Sequence, residues 1–170
     1  MSPPKVFLLD ANVFIESAKR YYAFDIAPGY WVALIKYAGD GPVRSIDKVK
    51  DEINRGNDDL TKWVNRNFHV WFESTNQQDV LDAYSTVMTW AQSQSQFTAD
   101  AKAEFARNAD GWLIAYALAK GCVVVTDEQF NSEIKRRIKI PNACIGVGVP
   151  YMDTFDMLRD LGVRLQFLSQ

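Results

Sequence analysis

Histidine is nearly absent from this chain of 170 residues. His69 stands alone, so any site that needs two imidazoles is excluded and a structural zinc centre lacks ligands; in N-F-H-V-W it reads as an ordinary packing residue. Cysteine is almost as scarce. Cys122 and Cys144 show no C-x-x-C spacing and read as small buried apolar groups in a reducing compartment, not as a disulfide. No apolar run approaches the roughly 18–20 residues of a membrane span, and the start M-S-P-P-K-V-F-L-L-D meets Asp10 before a signal-peptide stretch develops. A cytoplasmic protein is expected. A basic excess is missing too: the net charge is -2, which ordinarily argues against a nucleic-acid partner. Divalent cations bound among the acidic groups would offset it, so charge alone excludes neither case. Apolar residues are plentiful, at 48%, enough for one compact domain over residues 1–170.

Residues 5–9 read as a short buried strand that ends abruptly at Asp10, and 11–22 carry apolar residues at helical spacing. A second helix, 30–37, lies between the breakers A-P-G and G-D-G-P. Ser45 is placed to cap a third, 46–54; 60–67 form a short fourth, and 70–73 a strand or extended link. Helices follow at 77–92 and 98–107. Asp110 opens a nearly all-apolar helix, 112–120, stopped by Gly121. The clearest strand is 122–126, unalternating as parallel strands covered on both faces are. Beyond a mobile-looking segment, 131–141, the pattern predicts a third parallel strand at 143–147. Gly146 and Gly148 then read as strand-end turns, since they fail the dinucleotide-binding pattern. A helix at 153–161 and a last strand at 163–168 close the chain. Strands alternating with helices predict an α/β fold, a three-layer α/β/α sandwich with a mostly parallel central sheet, whose ligands bind at the carboxyl ends of the strands.

Four acidic positions stand beside these structural signals: Asp10 after the first strand, Glu52 in the third helix, Asp110 at a late helix start, and the Asp127-Glu128 pair after the clearest strand. Each has an ordinary reading. Asp10 and Asp110 suit helix caps, Glu52 a solvated face, and Asp127 and Glu128 a polar loop. Together they suit metal-dependent phosphodiester hydrolysis. Water attacks a phosphodiester poorly, and a divalent cation both activates it and neutralises developing charge; magnesium and manganese take oxygen ligands for this purpose.

The order D-x-N (Asp10, Asn12), S-x-x-x-V-x-x-E (Ser45, Val49, Glu52), D-x-x-L-I-A-x-A (Asp110 to Ala117) and V-V-T-x-[D/E] (Thr126, Glu128) resembles the PIN-domain ribonucleases, over residues 6–147. The tail K-I-P-N-A-C-I-G-V-G-V with F-D-M-L looks like a branch of VapC-type toxins often encoded beside a helix-turn-helix regulator. The resemblance implies an endoribonuclease that uses Mg2+ or Mn2+ held by Asp10, Glu52, Asp110 and Glu128 and leaves 5'-phosphate ends. It further implies a protein antitoxin and a homodimer. The usual motif is T-x-D, so position favours Glu128 and residue chemistry favours Asp127 as the last ligand. Asn12 would orient Asp10, with Ser45 and Thr126 supporting the site. A PIN fold without catalysis, serving as an RNA- or protein-binding scaffold, is the alternative; a phosphatase of the haloacid-dehalogenase type would want an aspartate where Asn12 stands.

Lys135, Arg136, Arg137 and Lys139 suit either RNA phosphate contacts beside the metal site or a solvated face. Tyr21, Tyr22, Tyr30, Trp31 and Trp63 suit core packing, a dimer face, or stacking on unpaired bases.

Overall fold

The computed structural model describes residues 3–169, so positions 1, 2 and 170 of the expected single domain lie outside the described residues. Five strands form one sheet, β1 (Phe7–Leu9), β2 (Val43–Ile46), β3 (Phe72–Glu73), β4 (Val123–Val125) and β5 (Tyr151–Met152), in the order β3-β2-β1-β4-β5. Every pairing is parallel. The chain leaves β1 toward one side to make β2 and later returns to its other side to make β4. That reversal opens a crevice at the carboxyl ends of the two neighbours, where open α/β sheets hold their ligands. Leu8, Leu9, Val43, Ile46, Val124 and Val125 are wholly buried, which is why these runs show no alternation.

Nine α-helices among the described residues flank the sheet: α1 (Ala11–Glu16), α2 (Pro28–Asp40), α3 (Asp47–Asn54), α4 (Asp59–Trp63), α5 (Gln78–Ser93), α6 (Ala99–Arg107), α7 (Asp110–Lys120), α8 (Ile140–Val147) and α9 (Thr154–Asp160). Helix α7 packs on β2 and β4, with α5, α6 and α8 around it, and α2 packs on β2. The apolar character of α7 follows from this, since its residues Leu113 to Ala117 are all buried. Gly121 ends it in the left-handed conformation, at φ 72°, as its sequence position predicts. Helices α1 and α4 each run on into a π-helical turn, Ser17–Tyr21 and Val64–Phe68. An aromatic cluster fills the space beside them. Tyr30 and Trp31 are buried, Tyr22 stacks on Tyr30 at 4.2 Å, and Trp63 meets Trp31 edge-on at 4.7 Å. Of the five aromatics singled out above only Tyr21 is largely exposed, at 55%.

Several expectations are corrected. Residues 143–147 belong to α8, not to a third parallel strand. Pro141 in its first turn is preset for a helix, and Gly146 lets the backbone lie against the Trp90 indole of α5. Gly146 is therefore a close-contact residue, and Gly148, at φ 76°, is the helix stop. Residues 163–168 form no strand. They lie along α2 with Leu165 against Gly29, Phe167 is 94% exposed, and β5 already occupies that side of β4. Ser45 caps no helix: it lies in β2, and its buried hydroxyl donates to the Leu9 carbonyl at 2.6 Å. His69 is exposed and does not pack in the core. Cys122 and Cys144 are buried free thiols, as expected. The segment before α8 is pinned at several points: Lys135 O accepts from Thr98 N, Gln96 reaches two of its carbonyls, and Ile138 is buried.

A Cβ added at Gly146 would meet the rigid Trp90 ring at 2.1 Å. Gly146→Ala is therefore expected to destabilise by about 1–3 kcal/mol, as overpacking does, seen as a lower urea midpoint at unchanged slope. An unaltered midpoint would refute the close α5–α8 contact.

Candidate metal centre

Asp10 follows β1 directly. Its backbone N donates to Val125 O at 3.0 Å, which locks the carboxyl end of β1 to that of β4, while Ser45 ties the preceding residue to β2. Its side chain is 3% exposed. Across the crevice, Asp110 begins α7, positioned by an Asx turn in which its N donates to Asn108 Oδ1 at 3.0 Å, and is 9% exposed. The two carboxylates feel each other. Burial, then Asp110, then Glu128 push Asp10 well above the usual carboxylate range, with the Thr126 hydroxyl opposing. Burial, then Glu128 and Glu52, push Asp110 up to about 7 against the pull of Arg137. Glu52, half-buried on α3, is raised chiefly by burial, with Arg55 and Arg137 pulling down. All four sequence-predicted acids thus share one electrostatic neighbourhood.

The Thr126 hydroxyl joins two of them: it donates to Asp10 Oδ2 at 3.1 Å and accepts from Glu128 N at 3.2 Å. Glu128 is already engaged. Its Oε1 takes the Arg137 guanidinium and its Oε2 the Ile140 backbone N–H, the latter at 2.9 Å. Arg137 is exposed and pairs with Glu128, and Lys139 donates to the Gln129 carbonyl at 3.2 Å. Lys135 and Arg136 are exposed. Asp127 is held elsewhere, accepting from Thr154 N at 3.0 Å and Thr154 Oγ1 at 3.1 Å. Its charge acts on Tyr22 and Tyr30, whereas that of Glu128 acts on Asp10 and Asp110. Asn12 is half-buried and makes no hydrogen bond to Asp10 among the described residues; Thr126 does that instead. Sequence reasoning missed Asn108, although an Asn two residues before a helix-opening Asp is a local turn signal, and it missed the pairing of Arg137 with Glu128.

A divalent cation suits this donor set. The Asp110 carboxylate, nearly buried, accepts no hydrogen bond from any described residue, and the groups facing it are oxygen anions, the ligands magnesium and manganese prefer. Among the described residues no group of three or more His, Cys, Asp or Glu side chains is placed to hold a metal ion. Magnesium rarely uses an all-protein cage, binding through one or two carboxylates with water and substrate phosphate for the rest, so Asp10 and Asp110 would be the principal holders.

A family model described as a domain of unknown function (DUF4411) matches residues 7–165. No curated protein matches the chain in sequence. Among solved structures, the fold is similar to that in the crystal structure of VapBC2 from Rickettsia felis bound to a DNA fragment from their promoter, with TM-score 0.54, 12% identity, and 87% of this chain and 98% of that one covered. It is also similar to FitAcB from Neisseria gonorrhoeae, with TM-score 0.52, 15% identity, and 86% and 96% covered. The five-stranded parallel sheet flanked by helices is thus the PIN-like fold.

Two outcomes are expected. Because the folded-state pKa of Asp110 is raised to about 7 from an ordinary value near 3.9, its contribution to stability is fully present below about pH 4 and lost as pH rises through about 7. In EDTA at pH 8, Asp110→Asn should therefore melt several degrees above wild type, with the difference vanishing near pH 4. Manganese should raise the wild-type midpoint and not the variant's. A variant less stable than wild type at pH 8 contradicts this. Asp127→Ala, which strips two hydrogen bonds from the start of α9, should cost about 1–2 kcal/mol and leave the manganese shift intact; losing that shift would make Asp127 a ligand.

Proposed function

The chain belongs to the DUF4411 family, and from the site its fold assembles we propose that it is a divalent-metal-dependent endoribonuclease, the toxin component of a toxin-antitoxin pair of VapC type. The observation that carries this is the pair of nearly buried carboxylates, Asp10 at the carboxyl end of β1 and Asp110 at the start of α7, with Asp110 and Glu128 raising the pKa of Asp10 and Glu128 and Glu52 raising that of Asp110. Such a pair is unfavourable in a scaffold and useful beside a cation. Mg2+ or Mn2+ bound there, held by Asp10 and Asp110 with Glu52 and Glu128 beside them, would activate water and neutralise charge on a phosphodiester. Thr126 fixes the Asp10 carboxylate in orientation, and Ser45 and the Asp10 backbone fix the strand end that carries it. Arg137 holds Glu128 and tempers the remaining negative charge. The position of Asp110 on the rigid, buried α7 keeps its side chain from swinging out to solvent.

In the full reading the substrate is RNA, the products carry 5'-phosphate ends, the protein acts in the cytoplasm as a homodimer, and a helix-turn-helix antitoxin restrains it. One similar solved structure is described as VapBC2 bound to a DNA fragment from their promoter and the other as FitAcB, and among the described residues no helix is long and apolar enough to cross a membrane. A second reading, a PIN-fold scaffold without catalysis, is favoured by one observation: Arg137 and the Ile140 N–H already occupy both oxygens of Glu128.

Incubation of a panel of RNAs with magnesium, manganese or EDTA separates the two. Cleavage that needs the metal, yields 5'-phosphate ends and falls at least about 100-fold in Asp10→Asn and Asp110→Asn supports the nuclease; a loss of that size is typical for groups that stabilise transition-state charge. Equal cleavage by Asp110→Asn would remove the mechanism. Absence of cleavage with every metal, beside retained RNA binding, would support the scaffold.

A further inference from the structure

Of the four cations picked out by the sequence, Arg137 is held by Glu128 and Lys139 by a backbone carbonyl, while Lys135 and Arg136 are exposed. A different set stands free. Between α3 and the corner joining α6 to α7 lies a cleft of about 350 Å³ whose walls include Lys48, Asp51, Glu52, Arg55, Arg107 and Trp112. Among the described residues none of its three cationic side chains forms an ion pair or hydrogen bond; the charged pairs of this protein lie elsewhere. One cation is held in place without being neutralised. The Lys48 ammonium lies over the Trp112 ring, 5.5 Å from its centroid, and that indole is itself immobilised by Tyr84, stacked on it at 3.7 Å and 8°. A cation resting on an aromatic face keeps its charge and its N–H donors for an anion.

We propose that this cleft is a phosphate-binding subsite for an RNA strand, in which Lys48, Arg55 and Arg107 hold a phosphodiester next to the one presented to Asp10 and Asp110. The proposal deepens the nuclease reading and rests on it. Glu52 lies in the wall of the cleft and in the acidic neighbourhood at once, so a strand leaving the acidic crevice past α3 enters the cleft directly. The volume sits at the small end of ligand sites, about 300–1,000 Å³, and suits one nucleotide's backbone. Two forked guanidiniums and one placed ammonium match phosphate oxygens in geometry. An acidic crevice repels the polyanion it must bind, and cations immediately beside it offset that repulsion.

The test is fluorescence anisotropy of an end-labelled single-stranded RNA with Asp110→Asn protein in magnesium, measured across a salt series. Adding Lys48→Ala, Arg55→Ala or Arg107→Ala should each weaken binding about 5- to 10-fold regardless of sequence, and the triple variant should lower the log–log salt slope by about two, at roughly 0.7 per phosphate contact on single strands. The exchange Lys48→Arg, which keeps the charge, should retain most of the binding. A control of equal charge change away from the cleft, Lys5→Ala with Lys36→Ala and Lys62→Ala, should move the slope far less. Unchanged affinity and slope in the cleft triple variant, an equal loss in the control, or no RNA binding by the Asp110→Asn parent would overturn the subsite. Manganese-induced thermal shifts of the same substitutions in wild-type background report on the acidic crevice separately. Retained shifts beside lost RNA binding locate the defect in the cleft, and a wild type without any shift removes the metal centre while the anisotropy still judges the cleft.

Discussion

Repulsion between two nearly buried carboxylates, Asp10 and Asp110, is the constraint around which this molecule is arranged. Neither group can be ionised cheaply where it lies, because burial alone disfavours the charge and like charges add to the penalty, Asp110 and Glu128 at Asp10 and Glu128 and Glu52 at Asp110. The rest of the fold holds them there nonetheless. Asp10 cannot retreat, since its backbone is bonded to β4 and the preceding residue to β2. Asp110 cannot retreat either, since α7 is packed on the sheet and flanked by α3, α5, α6 and α8. A site that keeps like charges together against their preference is a site awaiting an opposite charge.

How the chain handles the surrounding charge is equally specific. Asp127 and Glu128 are adjacent in sequence but serve different ends of the molecule: Asp127 fixes the start of α9 through Thr154, and Glu128 turns toward the crevice. Thr126 sets this division, because its hydroxyl accepts from the Glu128 N–H while donating to Asp10. The longer glutamate side chain then reaches both the Ile140 N–H at the start of α8 and the Arg137 guanidinium. Three segments far apart in the chain, after β1, after β4 and before α8, are thereby tied to one electrostatic neighbourhood.

The parts of this arrangement legible in the sequence were those where residue type changes sharply. The apolar runs of β1 and β4 end at once in Asp10 and in Thr126-Asp127-Glu128, so both the strands and the acids at their ends stand out. Strand β2 was hidden because Arg44 and Ser45 interrupt its apolar run, and Ser45 is buried only because the Leu9 carbonyl satisfies its hydroxyl. Helix α8 passed for a strand because eight residues of I-P-N-A-C-I-G-V are too few for periodicity to tell helix from strand. The alternating V-R-L-Q-F-L near the end of the chain imitates a strand, but the sheet edge it would join is already taken by β5, too short at two residues to announce itself. Arg137 sits in a basic run that reads outward as a whole; only the folded chain brings its guanidinium onto Glu128.

That ion pair bears on the net charge of -2, which speaks against a polyanionic partner only if charge is spread evenly. Here it is not. Negative charge is concentrated in the crevice, where Arg137 offsets part of it and a divalent cation would offset more, while Lys48, Arg55 and Arg107 stand unpaired at its flank. Within about 8–10 Å, the screening distance at physiological salt, a strand of RNA would respond to these local sets and scarcely to the sum over the surface. A small acidic protein can therefore bind a phosphodiester backbone if its cations border the cleft and its anions are matched by the ion they hold.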